Sequence, residues 1–184
     1  MKVMIITDIF GVCESSDLLI SNINNIDLVH VIDPYAGERN YFANEQQAYR
    51  AFVERCGHED YYLLAEALFH QLEPDLIIGF SAGANVAWRL SGELKAKNKL
   101  FRCFYPTRIH QYLAAKPIAK MEVIFPQQEP GFDVNEVATI INDFDNLELQ
   151  VTPYQHGFMN QSSQAYEQQG FQFGIDVIAN AIKR

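Results

Sequence analysis

No long apolar run marks this chain. Its opening stretch, MKVMIITDIFG, is apolar only from Val3 to Ile6 before Asp8 interrupts it. That is too short for a signal-peptide core, and a membrane span needs roughly 20 apolar residues. A soluble, cytoplasmic protein with no membrane partner is therefore expected. Cysteine is scarce too: Cys13, Cys56 and Cys103 are odd in number, widely spaced and form no C-x-x-C pair. Neither a disulfide framework nor a zinc knuckle fits that pattern. Positive charge is in deficit, with 14 Lys and Arg against 23 Asp and Glu and a net charge of −9. A nucleic-acid binder needs a basic surface to neutralise phosphates, so that class is set aside. The local run Lys95, Lys97, Lys99 and Arg102 reads as a solvated helix end. The glycine-rich loops that cradle nucleotides are absent, as are a histidine pair and an H-E-x-x-H helix, so neither cofactor nor metal is expected.

What remains is a packing-competent sequence. The 184 residues, 48% of them hydrophobic, suit one domain spanning 1–184 with a sizeable core. Apolar runs at Val3–Ile6, Leu28–Ile32, Leu76–Ile78, Leu100–Tyr105, Val123–Phe125 and Leu147–Val151 read as strands. Their hydrophobicity is continuous rather than alternating, which predicts a parallel sheet covered on both faces. Between them lie helical patterns at Ser16–Ile23, Glu45–Leu72 (broken near Gly57), Ala84–Lys97, Val134–Asp143 and Ser163–Ile182. Alternating strands and helices predict an α/β fold of right-handed crossovers. Ligands of such sheets bind at the carboxyl ends of the strands, so chemistry is sought on those loops.

One loop stands out. The strand ending at Ile78 runs into Gly79-Phe80-Ser81-Ala82-Gly83, a G-x-S-x-G pattern. A serine on a tight strand-to-helix turn is pushed clear of the sheet, while flanking glycines let strand and helix approach closely. The helix that follows directs its N–H groups and positive dipole end at the site. The Ala82 N–H is then a natural oxyanion donor.

A serine needs a base, and histidine is the usual one near neutral pH. His30 ends a strand, His58 and His70 lie in a helical stretch, and His110 follows an aromatic loop. His156 sits just past the last strand, on a loop at the edge where Ser81 points. The acid is expected between Ser and His in chain order. Glu129 and Asp133, in the loop after Phe125, are the candidates. Asp133 reads as the N-cap of the next helix, with Glu136 completing a capping box. That leaves Glu129 as the better partner for His156.

These residues give the chain a resemblance to the dienelactone hydrolase family of the α/β-hydrolase superfamily. Asp8-Ile9-Phe10-Gly11 is similar to that family's acidic-Ile-Phe-Gly loop, Ser81 occupies its nucleophile position, and His156-Gly157-Phe158 is similar to its closing motif. Asp33-Pro34-Tyr35 is a weaker match. The resemblance implies a minimal three-layer α/β-hydrolase fold without the first two antiparallel strands, with spatial strand order 2-1-3-4-5-6. It implies that the Ile9 N–H joins Ala82 in the oxyanion hole, and that Phe10 and Phe158 wall the pocket. Departures narrow the chemistry: Ser81 replaces the family's Cys, Glu129 its usual Asp, Asp8 its usual Glu, and Asn160 its carboxylate-binding Arg.

The expected activity is hydrolysis of a small neutral ester, lactone or thioester through Ser81, His156 and Glu129. The alternative is a catalytically inactive hydrolase-fold binding or interaction protein, whose shortened sheet leaves an edge for a partner chain or a homodimer to cover. A flavodoxin-like binder fits less well, because the first loop lacks a phosphate cradle. The segment from Ala36 to Leu72 is either a plain crossover or an overhang, with Tyr41, Phe42, Tyr49, Arg50 and Arg55 shaping substrate access.

Overall fold

The computed structural model describes residues 1–183. Six strands form one sheet: β1 (Lys2–Ile6), β2 (Leu28–Ile32), β3 (Leu76–Phe80), β4 (Leu100–Phe104), β5 (Lys120–Phe125) and β6 (Leu147–Val151). Every neighbouring pair is parallel, and the spatial order is β2-β1-β3-β4-β5-β6. Both features match the sequence expectation.

The helices are α1 (Glu14–Asn22), α2 (Glu45–Arg55), α3 (Gly57–Leu72), α4 (Ala82–Ser91), α5 (Val134–Ile141) and α6 (Gln168–Ile182). Strand side chains alternate between faces, so β1 feeds two cores. Met4 and Ile6 pack with Phe52, Tyr61, Phe69, Trp88 and Val137 of α2 to α5. Val3 and Ile5 pack with Leu19, Ile175 and Ile178 of α1 and α6. The result is three layers, helix, sheet and helix. Burial on both faces is why the inner strands read as unbroken apolar runs. The edge strand β6 differs: Leu147 and Leu149 pack inward while Glu148 and Gln150 are exposed.

One charged pair crosses the sheet interior. Arg102 on β4 faces Glu122 on β5 at 2.9 Å, both nearly enclosed, and Gln150 of β6 donates to the same carboxylate at 2.8 Å.

Helix ends depart from the sequence reading. The helix expected over Ala84–Lys97 begins at Ala82 and stops at Ser91, with a separate 3-10 turn over Leu94–Ala96. The last helix starts at Gln168 rather than Ser163, because Ser163 turns back to accept the Ala165 N–H through its hydroxyl. The first helix starts at Glu14, where the Ser16 hydroxyl accepts the Cys13 N–H at 3.0 Å. The break near Gly57 is present, with α2 and α3 meeting at Cys56.

Candidate active site

The site is built at the carboxyl edge of the sheet, starting from β3. Ser81 follows that strand directly and caps α4 with φ 52° and ψ −111°. A non-glycine residue held there costs about 1–3 kcal/mol. Steric need explains the glycines on either side. A Cβ at Gly79 would lie 2.7 Å from the Ala84 Cα, and one at Gly83 would collide with the carbonyl oxygens of Ile6 and Thr7. The turn is thus clamped between β1 and α4. The Ser81 N–H donates to the Phe104 carbonyl at 3.0 Å, which ties it to β4 as well.

The structure brings Ser81, His156 and Glu129 together. His156 Nε2 lies 3.0 Å from Ser81 Oγ, and its Nδ1 pairs with Glu129 Oε1. The Glu129 side chain is 2% exposed and that of His156 29%, so the acid is sealed in while the imidazole keeps one open side. The His156 and Tyr105 rings meet edge to face at 5.0 Å between ring centres, and Tyr105 makes the same kind of contact with Phe158. Asp133 takes no part. Its carboxylate accepts the N–H groups of Asn135 and Glu136 and caps α5.

The Ile9 and Ala82 N–H groups have no acceptor among the described residues, whereas their neighbours do: Phe10 N–H binds Asp8 Oδ1 and Gly11 N–H binds the Asp8 carbonyl. Tyr61 of α3 steadies the base of that turn, its hydroxyl donating between the Thr7 and Ile32 carbonyls at 3.0 Å each.

One polar link was missed from the sequence. Asn160 Nδ2 donates to Asp8 Oδ2 at 2.7 Å, both residues being buried. Asn160 belongs to the turn that follows His156, its N–H bonding the Gly157 carbonyl. The pair therefore ties the Ile9 loop to the histidine loop. Burial pushes the Asp8 carboxyl above its ordinary pKa, against the opposing pull of Asn160, the Phe10 N–H and the charge of His156. Cys13, nearby, is raised by burial and by Asp8, so its thiol stays protonated and is a poor nucleophile beside Ser81. The only signal in the sequence was the position of Asn160 shortly after His156.

Two cavities adjoin these loops. A small, partly open space of about 30 Å³, lined among others by Asp8, Cys13, Tyr105 and Asn160, has room for about two water molecules. A larger pocket of about 230 Å³ opens between Phe10, Val12, Arg39, Tyr41, Phe42 and Gln161. The segment after β2 thus overhangs the first loop through Tyr41 and Phe42, while Tyr49, Arg50 and Arg55 lie outside the pocket's lining. Arg39 is held by both oxygens of Asp17 at 2.8 Å. Phe10 lines this larger pocket. Phe158 does not: it is fully buried beneath Tyr105, Tyr154 and Gly170, and supports the site from below.

Comparison with known proteins places this architecture. A structure described as a predicted CIB-like hydrolase from Thermoplasma acidophilum superposes with a TM-score of 0.63 at 11% identity, over 97% of this chain and 86% of that one. An alpha-beta serine hydrolase homologue from Coxiella burnetii gives 0.57 at 12% identity, over 97% and 83% of the two chains. Est1E from Butyrivibrio proteoclasticus gives 0.58 at 8% identity, over 99% and 85%. The fold is that of the α/β-hydrolases. At these identities the likeness speaks for the fold alone. No family model matches the chain. The uncharacterized protein YczH of Bacillus subtilis (strain 168) is 29% identical over 106 residues, 56% of this chain. That match spans about half, 52%, of the length of YczH.

Proposed function

We propose that the protein is a serine hydrolase of the cytoplasm, a serine-bearing relative of the dienelactone hydrolases, acting on small neutral esters, lactones or thioesters. The observation that carries this reading is the unbroken line from Ser81 Oγ through His156 to Glu129, with the serine on a strained turn. In this reading His156 Nε2 takes the Ser81 proton as Oγ attacks the acyl carbonyl. The Ile9 and Ala82 N–H groups receive the developing oxyanion, and Glu129 holds the Nδ1–H and stabilises the imidazolium. His156 then returns the proton to the leaving alkoxide or thiolate. In the second half it deprotonates water, which attacks the acyl-enzyme and releases the acid and free Ser81.

Two features support a neutral substrate. Asn160, engaged with Asp8, stands where an Arg would receive a substrate carboxylate. The pocket beside the Ile9 loop carries the apolar side chains of Phe10, Val12 and Phe42, Asp17 neutralises its arginine, and Glu14 on its wall disfavours an anionic substrate. The test is hydrolysis of p-nitrophenyl esters and acyl thioesters from acetyl to hexanoyl. The reading expects turnover by wild type that Ser81→Ala and His156→Ala lose by three or more orders of magnitude, in line with about 10⁴–10⁶-fold losses in other serine triads. Turnover that survives Ser81→Ala would sink it.

A further inference from the structure

We propose that Glu66, His70 and Glu93 form a binding site for a divalent transition-metal ion, away from the Ser81 site. One ligand atom from each of the three lies within 4.8 Å of the others, and all three residues are half-buried. Glu66 and His70 stand one turn apart on α3 and so share a face. Glu93 comes from the turn just past α4, and its carboxylate lies 2.9 Å from His70 Nε2.

The site is short of positive charge. Tyr62 approaches both carboxylates, hydrogen-bonding Glu66 and lying 3.2 Å from Glu93. A hydroxyl has one proton, so it satisfies only one of them at a time. The nearest guanidinium, Arg89, sits 3.6 Å over the Tyr62 ring and spends its N–H groups on Glu59 at 2.9 Å. Among the described residues, neither Glu66 nor Glu93 has a Lys or Arg partner. Two converging carboxylates beside an imidazole repel one another unless a cation joins them.

The donor set selects the ion. Calcium and magnesium favour all-oxygen shells, whereas one imidazole nitrogen with two carboxylate oxygens suits zinc and its neighbours. Three protein ligands leave a position for water. The site lies at the far end of α4 from Ser81, and ten helical residues span about 15 Å. The ion would therefore act as a clip between α3 and the end of α4, outside the acyl chemistry. The sequence hid it because only Glu66 and His70 share a spacing, while Glu93 lies beyond the elbow.

The experiment is isothermal titration of the full chain, stripped by chelator, with Zn²⁺ alone. Wild type should take one equivalent and melt at a higher temperature when loaded. His70→Ala and Glu93→Gln should each weaken binding at least about tenfold, with His156→Ala unaffected. Should His70→Ala misfold by circular dichroism, His70→Gln replaces it. No binding by folded wild type, or binding no tighter than that of a folded His70→Ala/Glu93→Gln double variant, overturns the proposal. So does binding lost with His156 and kept without His70.

Discussion

At the scale of single residues, the site shows where stability has been given up. Ser81 sits in a conformation that glycine adopts freely and serine does not. Ser81→Gly should therefore raise stability by about 1 kcal/mol, strain relief less the extra chain entropy of glycine, while ending acyl turnover. Chemical denaturation checks the first part, and a lower midpoint would contradict it. Glu129 and Asp133 lie close in sequence yet make different contacts, Glu129 with His156 and Asp133 with the first N–H groups of α5. Glu129→Gln should slow turnover by about 10²- to 10⁴-fold, since the amide no longer stabilises the imidazolium. Asp133→Ala should leave turnover intact and cost about 1 kcal/mol through the lost helix cap. Equal kinetic losses in the two variants would refute this division. Ser81, His156 and Glu129 were legible because chain order and strand-end placement single them out. The Asp8–Asn160 pair was not, because its partners are 152 positions apart and meet only when the first and last loops converge.

Secondary-structure elements explain which boundaries the sequence reveals. Strand positions followed from apolar runs, although β6, at the exposed edge, alternates between apolar and polar residues instead of running continuously apolar. Helix ends were harder, because they are decided by contacts the pattern does not carry. The last helix begins late because the preceding turn is occupied: the Glu45 carboxylate accepts the Ser163 hydroxyl and the Gln164 N–H. Burial works to raise the Glu45 pKa, and these hydrogen bonds outweigh it and lower it. They fasten the start of α2 to the loop carrying His156. The close packing of α4 on β1 is equally a property of two elements. Gly83→Ala would drive a methyl into the carbonyls of Ile6 and Thr7, and should cost at least about 2 kcal/mol with loss of Ser81 geometry. A melting temperature and turnover equal to wild type would show that the clamp is looser than described.

Across the whole molecule, the layering was expected from continuous hydrophobicity and the sheet order from the family resemblance, and the structure shows that order and that layering. Groups buried by the assembled layers were not readable in advance. His58 packs edge-on to Phe52, and burial first, then Arg108 and Arg89, lower its pKa to about 4 from an ordinary 6.5. Between those values the unfolded chain binds a proton that the folded protein does not, so stability rises with pH across that window. Acidification from about pH 6.5 to about 4 therefore costs stability, and His58→Phe should flatten that part of the melting profile. An unchanged slope would remove His58 from the account.

The central claim is that the assembled fold activates Ser81 through His156. Intact-mass analysis after reaction with a fluorophosphonate tests it most directly, with the modified residue mapped by proteolysis. One adduct per chain is expected, on Ser81, formed rapidly by wild type, far more slowly by His156→Ala, and not at all by Ser81→Ala. A folded wild-type chain that stays unmodified, or one modified elsewhere, would contradict it and leave the hydrolase fold as a scaffold for binding.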